Sequence, residues 1–128
     1  MTPKGNTIRT ATLWTVSVML GVVFLFAGVT KLAGSAMHVQ HFAEWGYPQG
    51  FRLFVGAWET LFGLMLLVPR AAFYAAVALS AGMGGAIYTQ LFRGDPPAAV
   101  FPLVMLILLA WVAVRRRSTA TTDPVPAG

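Results

Sequence analysis

Ionised residues punctuate this chain more sharply than hydropathy does. Between Thr10 and Thr30 nothing is ionised, and residues 71–92 and 96–114 are likewise free of charge. A further apolar stretch, 51–69, carries only Arg52 at its start and Glu59 near its middle. A helix embedded in lipid needs about 20 residues with few or no ionisable groups. The pattern therefore predicts four membrane-spanning helices, at about 11–32, 51–69, 71–92 and 96–114. The connection Val68-Pro69-Arg70-Ala71 is so short that its flanking helices must be antiparallel neighbours, and Arg93-Gly94-Asp95-Pro96 does the same for the next pair. The expected fold is all-α: an integral membrane four-helix up-down-up-down bundle forming a single transmembrane domain over residues 1–117. The tail, 118–128, is rich in Thr, Ala and Pro without an apolar period, and is expected to be disordered.

One connection, 34–50, is long. Ser35 can cap a short helix there, and Gly46 with Pro48 can end it. In helical geometry His38, His41, Phe42 and Trp45 share a face, which suits a helix lying in the membrane interface. With the amino terminus inside, Lys4, Arg9, Arg70 and Arg115–Arg117 fall on the cytoplasmic side against Lys31, Arg52 and Arg93 outside. That bias places both termini in the cytoplasm and the chain, multi-pass, in a bacterial cytoplasmic (inner) membrane. The first apolar run is longer than the roughly 7–15 residues of a signal-peptide core, so it is read as a retained helix.

Composition agrees and excludes much else. Of 128 residues, 57% are hydrophobic and 10% charged, and the mean hydropathy is +0.70. There is no room for a separate soluble catalytic domain or a nucleotide-binding fold. The chain has no cysteine, which excludes dithiol chemistry, iron–sulfur clusters and thiolate-bound metals. The net charge of +5 would fit nucleic acid, but three of the basic residues directly follow an apolar stretch, so a membrane anchor accounts for it and no nucleic acid is expected.

Glu59 is the most informative position. A carboxylate deep in a span is costly and faces the bundle interior or water, with a partner or a proton. Gly56, Glu59 and Gly63 fall on one stripe, whose small residues allow a close helix approach. The plain reading is a structural carboxylate joining two helices; the functional one is ligand binding or proton handling. Lys31 ends a matching stripe, Gly21, Phe24, Gly28 and Lys31, on the first span. It lies roughly 13 Å beyond that span's midpoint, so the two side chains could just meet or be bridged by water or a ligand. Taken alone, Lys31 is expected to snorkel to the outer headgroups. Arg52 could close the outer mouth of a pocket or meet lipid phosphate. Tyr88 and Gln90 stand near the outer end of the third span, with Ser80 deeper, and Ala78, Gly82 and Ala86 form a packing ridge. Trp58 lines the same cavity or faces lipid. His38, His41 and Glu44 lie at three-residue spacing, which arises readily by chance, and no metal site is assigned to them. Haem pairs, phosphate loops, serine triads and HExxH are absent.

The runs Phe26-Ala-Gly-Val-Thr-Lys31-Leu32, Trp45-Gly46-Tyr47-Pro48, Val55-Gly56-Ala57-Trp58-Glu59 with Gly63, and Val68-Pro69 together resemble the DoxX-like family of small bacterial four-helix membrane proteins. The resemblance extends from about Thr12 to Val114. It implies an association with respiratory or oxidative-stress membrane complexes, and through the family's namesake with a thiosulfate:quinone oxidoreductase, so a bound quinone is the cofactor it suggests. The leading expectation is an accessory membrane subunit holding a quinone- or lipid-like molecule through Glu59. Phe24, Trp58 and Tyr88 would form the apolar wall, and Lys31 and Arg52 would meet a polar group. The alternatives are a quinone-linked oxidoreductase component or lipid-modifying enzyme using Glu59 as acid or base, and a structural scaffold that forms homo-oligomers or docks on a larger complex.

Overall fold

The computed structural model describes residues 3–121, with side chains from 9 to 117. It is helical throughout: α1 Pro3–Leu32, α2 Ala36–Glu44, α3 Gln49–Leu66, α4 Ala72–Phe92, a 3-10 turn Pro96–Ala99, and α5 Val100–Thr121. Three stretches, Arg9–Leu32, Ala72–Phe92 and Pro96–Arg117, are long and apolar enough to cross a membrane. α3 is not among them, because Gln49, Arg52 and Glu59 lower the hydropathy of its 18 residues. Large apolar side chains cover the outside, Phe26 at 71% and Phe92 at 72% exposed among them. A surface this apolar belongs in lipid.

Local chemistry sets the helix ends. α1 starts earlier than its apolar stretch, with Pro3 at a first-turn position where its missing N–H costs nothing. α3 stops at Leu66, short of the expected 69, because Pro69 disfavours helical backbone at the residue before it. Pro96 and Pro97 open a 3-10 turn in place of the first turn of the last helix. α5 runs on through Thr121, so the first four residues of the expected tail are helical, and 122–128 lie outside the described residues.

α1 and α2 end alike, with left-handed glycines at Gly34 (φ 78°) and Gly46 (φ 81°). At the first, Ser35 N–H donates to Thr30 O (3.0 Å); at the second, Tyr47 N–H donates to Phe42 O (2.9 Å). Both are Schellman closures, which satisfy terminal carbonyls and need a residue tolerant of positive φ. Ser35 precedes α2 as expected, but its side chain makes no capping bond; its backbone carbonyl accepts from Val39 N–H instead.

α1 packs antiparallel along α3, and α4 packs along α5, with α3 also against α4 and α5 against α1. The α1–α3 register is fixed by glycine: Gly21 faces Gly63, and Gly28 faces Gly56. A Cβ at Gly28 would lie 2.5 Å from Thr60 N and 2.7 Å from Gly56 O. The two backbones therefore approach closely, with the Thr60 side chain also packed against Gly28, the geometry that small-residue stripes permit. The packed core lies toward the end where α1 begins and α5 ends, near the α3–α4 turn. Leu20, Leu66, Leu79, Leu109 and Val112 meet there around Ala72, Ala75 and Ala76.

Replacing Gly28 by alanine should force α1 from α3 at a backbone contact that cannot yield, at a cost of about 1–3 kcal/mol as in other overpacked sites. Gly84, with nothing within 4 Å of a Cβ, should take alanine with unchanged or slightly raised stability. Thermal unfolding in detergent checks both; equal melting temperatures for Gly28→Ala and wild type would contradict the tight register.

Candidate functional site

The half away from the start of α1 and the end of α5 is loosely filled and partly open to the outside. A cavity of about 850 Å³ lies among α1, α3, α4 and the start of α5, beneath α2. Its wall is mostly apolar, with Phe24, Ala27, Trp58, Leu79, Met83 and Ala86 among the lining residues. The small residues Gly82, Gly85 and Ala86 make the room on the α4 side.

One ion pair stands on this wall. Lys31 Nζ donates to Glu59 Oε1 at 2.7 Å, with side chains 13% and 8% exposed. The glycine register sets Glu59 level with Leu25, six residues or about 9 Å along the helix axis from Lys31. Side chains in helices lean toward the amino terminus. Because α1 and α3 are antiparallel, Lys31 leans down toward Glu59 while Glu59 leans up toward Lys31, and the gap closes. The expectation that Lys31 snorkels outward is thereby corrected: a carboxylate within reach outcompetes the headgroup layer. Gly56 makes the path possible, since a Cβ there would meet Lys31 Cβ at 3.0 Å. Glu59 Oε2 makes no hydrogen bond to a described residue and is not enclosed.

Arg52 does not line the cavity. Its guanidinium is buried against the end of α1, where Nη1 donates to the Lys31 carbonyl and Nε donates to Gln49 Oε1 (2.9 Å). It holds the backbone that carries Lys31, so its placement differs from the pocket mouth expected for it. Phe24 is buried on the wall. Trp58 lies on the wall too, its Nε1–H donating to Ala78 O at 3.0 Å. Tyr88 reaches the cavity but is 53% exposed and packs on Phe92 at 5.0 Å. Gln90 lines the rim and accepts from Asp95 N–H, and Ser80 donates to Ala76 O within its own helix.

α2 is the roof. Thr30 directs its hydroxyl proton to the carbonyls of Phe26 and Ala27, so His38 Nε2–H is the donor in the 3.0 Å contact with Thr30 Oγ1. Tyr47 donates to Thr89 Oγ1 (2.8 Å), whose own proton goes to Gly85 O. Arg93 donates to Trp45 O (3.0 Å) and lies 5.0 Å over the Tyr47 ring. His41 stacks on Trp45 with ring centres 5.6 Å apart. Among the described residues no three His, Cys, Asp or Glu side chains come together as ligands for a metal.

Sequence reasoning missed two features. Tyr47, Phe51, Phe54, Trp58 and Phe62 form a continuous column of ring contacts, with centres 4.7–6.3 Å apart, running from before α3 along it, the first four lining the cavity. Its signal was legible as aromatic residues three and four apart on a helix. The roof contacts of Thr30, Thr89 and Arg93 had no such signal, because each joins segments distant in sequence.

The fold and site define a helical integral membrane protein whose buried ion pair borders an apolar cavity. A family model described as the DoxX-like family matches residues 15–113, and the chain belongs to that family. Searches of curated proteins and of solved structures found no match.

Removing one member of the Lys31–Glu59 pair strands the other, which costs about 3–5 kcal/mol where the pair is well buried. Lys31→Met and Glu59→Met should each destabilise more than the double variant does. Strictly additive losses in thermal unfolding would show that the two side chains do not interact. His38 is held below the ordinary histidine value of 6.5, first by burial and then by the positive charges of Lys31, His41 and Arg52. A depressed histidine contributes stability that is complete above pH 6.5 and is lost as the pH falls through that value toward the lowered one. Amide exchange across 36–44, corrected for intrinsic rates, should therefore be faster at pH 5 than at pH 7.5. His38→Gln should remove the difference; an unchanged pH dependence would refute the assignment.

Proposed function

We propose that this protein is an accessory membrane subunit that holds a quinone- or lipid-like molecule in the cavity, anchored at the Lys31–Glu59 pair. The observation that carries the reading is the placement of that pair on the wall of a mostly apolar cavity. Its volume of about 850 Å³ lies within the range of roughly 300–1,000 Å³ typical of small-molecule sites. The pair offers both halves of a hydrogen bond: Lys31 has protons beyond the one given to Glu59, and Oε2 is a free acceptor. A carbonyl or hydroxyl on an apolar body matches them. Phe24, Trp58 and Tyr88 supply wall and rim, and Arg52 serves by holding the end of α1.

In this reading α3 is a fourth crossing helix, making an up-down-up-down bundle with α2 at the outer interface and both termini in the cytoplasm. Its 18 residues span about 27 Å, and its charges are met inside the protein. Glu59 is paired with Lys31, and Arg52 is held by Lys31 O and Gln49. The bias of basic residues toward the termini supports a bacterial inner-membrane orientation.

Native mass spectrometry of detergent-extracted protein tests the ligand. Wild type should retain a small amphiphile, and Glu59→Gln should hold it about tenfold more weakly, as expected for the loss of one hydrogen bond to a charged group. Equal retention by a folded Glu59→Gln would refute the anchor. Orientation is readable because the chain has no native cysteine. Gln40→Cys should react with an impermeant thiol reagent on intact spheroplasts, and Val68→Cys only after permeabilisation. Labelling of both from one side would refute the topology.

A further inference from the structure

At the opposite end of the assembly an arginine is turned inward. Arg116, near the end of α5, is 4% exposed, whereas Arg115 and Arg117 on either side are exposed. Helical side chains lean toward the amino terminus, so Arg116 runs back into the assembly. Its guanidinium lies 4.7 Å from the centre of the Trp14 ring, and Nη2 donates to Ser17 Oγ at 3.3 Å. Nε is enclosed without a hydrogen-bond partner. Nη1 makes no hydrogen bond to a described residue.

A buried guanidinium without a counter-charge is costly, and the described residues have little to offer it. Of its four acidic residues, Glu44, Glu59 and Asp95 stand on the far half, around the cavity and its roof. Asp123 lies outside the described residues. Trp14 and Ser17 contribute a ring face and a hydroxyl, which orient the guanidinium without neutralising it.

We propose that Arg116, with Ser17 and Trp14, forms a binding site for the phosphate of a membrane phospholipid. The planar fork of arginine matches phosphate oxygens in a way a lysine cannot. The Ser17 hydroxyl adds a second donor, and Trp14 fixes the guanidinium from behind. The source is a lipid because apolar side chains of α1 beside the site face outward: Val18, which follows Ser17, is 42% exposed, and Met19 is 61% exposed. The acyl chains have apolar surface to lie on, and free phosphate has none. This site is independent of the cavity and of its ligand.

The test is titration of the full chain in detergent with phosphatidylglycerol, phosphatidylcholine or diacylglycerol, read by native mass spectrometry. Both phospholipids should bind with one site of highest affinity, and diacylglycerol should not. Arg116→Gln should weaken that site at least tenfold, while Arg115→Gln, with the same change in net charge, should weaken it less than twofold. Arg116→Lys, which keeps the charge and guards against misfolding, should weaken it several-fold. Equal losses for the two glutamine variants would replace the site with diffuse charge attraction, and full binding by both Arg116 variants would also overturn it. Displacement of the lipid by millimolar inorganic phosphate would assign the site to a free anion instead.

Discussion

A carboxylate placed deep in an apolar helix must be neutralised, and in this protein the cation that meets Glu59 comes from another helix. The Lys31–Glu59 contact is made at 2.7 Å only because α1 and α3 touch backbone to backbone. Gly28 and Gly56 remove the side chains that would hold them apart. The antiparallel order supplies the other half, since each long side chain leans toward its own amino terminus and hence toward its partner. Arg52 then holds the carbonyl of Lys31 itself, fixing the end of α1 from which the lysine reaches. Glycine, charge and helix direction thus act as one unit; a larger residue at Gly28 would move the lysine as surely as it would move the helix.

The rest of the assembly divides around that unit. Toward the termini, leucines and alanines fill the interior. Toward the loops, small residues of α4 face an aromatic column on α3, and the interior opens into the cavity. Most polar groups bordering that space are already occupied: Trp58 with Ala78 O, Tyr47 with Thr89, and Thr30 with His38. Such satisfaction is what a low-dielectric wall demands. The Lys31–Glu59 pair is the ion pair on that wall.

The helices were legible because a charge-free run of spanning length seldom arises outside a membrane helix, and the Gly56/Glu59/Gly63 stripe marked α3's contact face. The partnership of Lys31 with Glu59 was only half legible. Counting residues placed their backbones far apart, and the convergence appears only when the direction of the side chains is included. Arg52 misled for a related reason: a cation at the head of a span looks like a headgroup contact, and nothing local shows that the carbonyl of Lys31 lies within its reach. Arg116 looked like one of three anchoring arginines. Helical rotation sends its side chain into the interior while leaving Arg115 and Arg117 on the surface, a distinction that depends on where α1 packs.

Charge placement ties the two ends together. At the cavity, the acidic residue is buried and the chain provides its cation; near the termini, the cation is buried and the described residues provide no acid. Lipid tails can neutralise neither, so each buried charge constrains what must stand beside it. Glu59 therefore fixes an internal geometry, in which helix spacing and side-chain direction are set by one contact. Arg116 draws its missing partner from the surroundings, because the same physical demand, unmet within the described fold, becomes affinity for an anion.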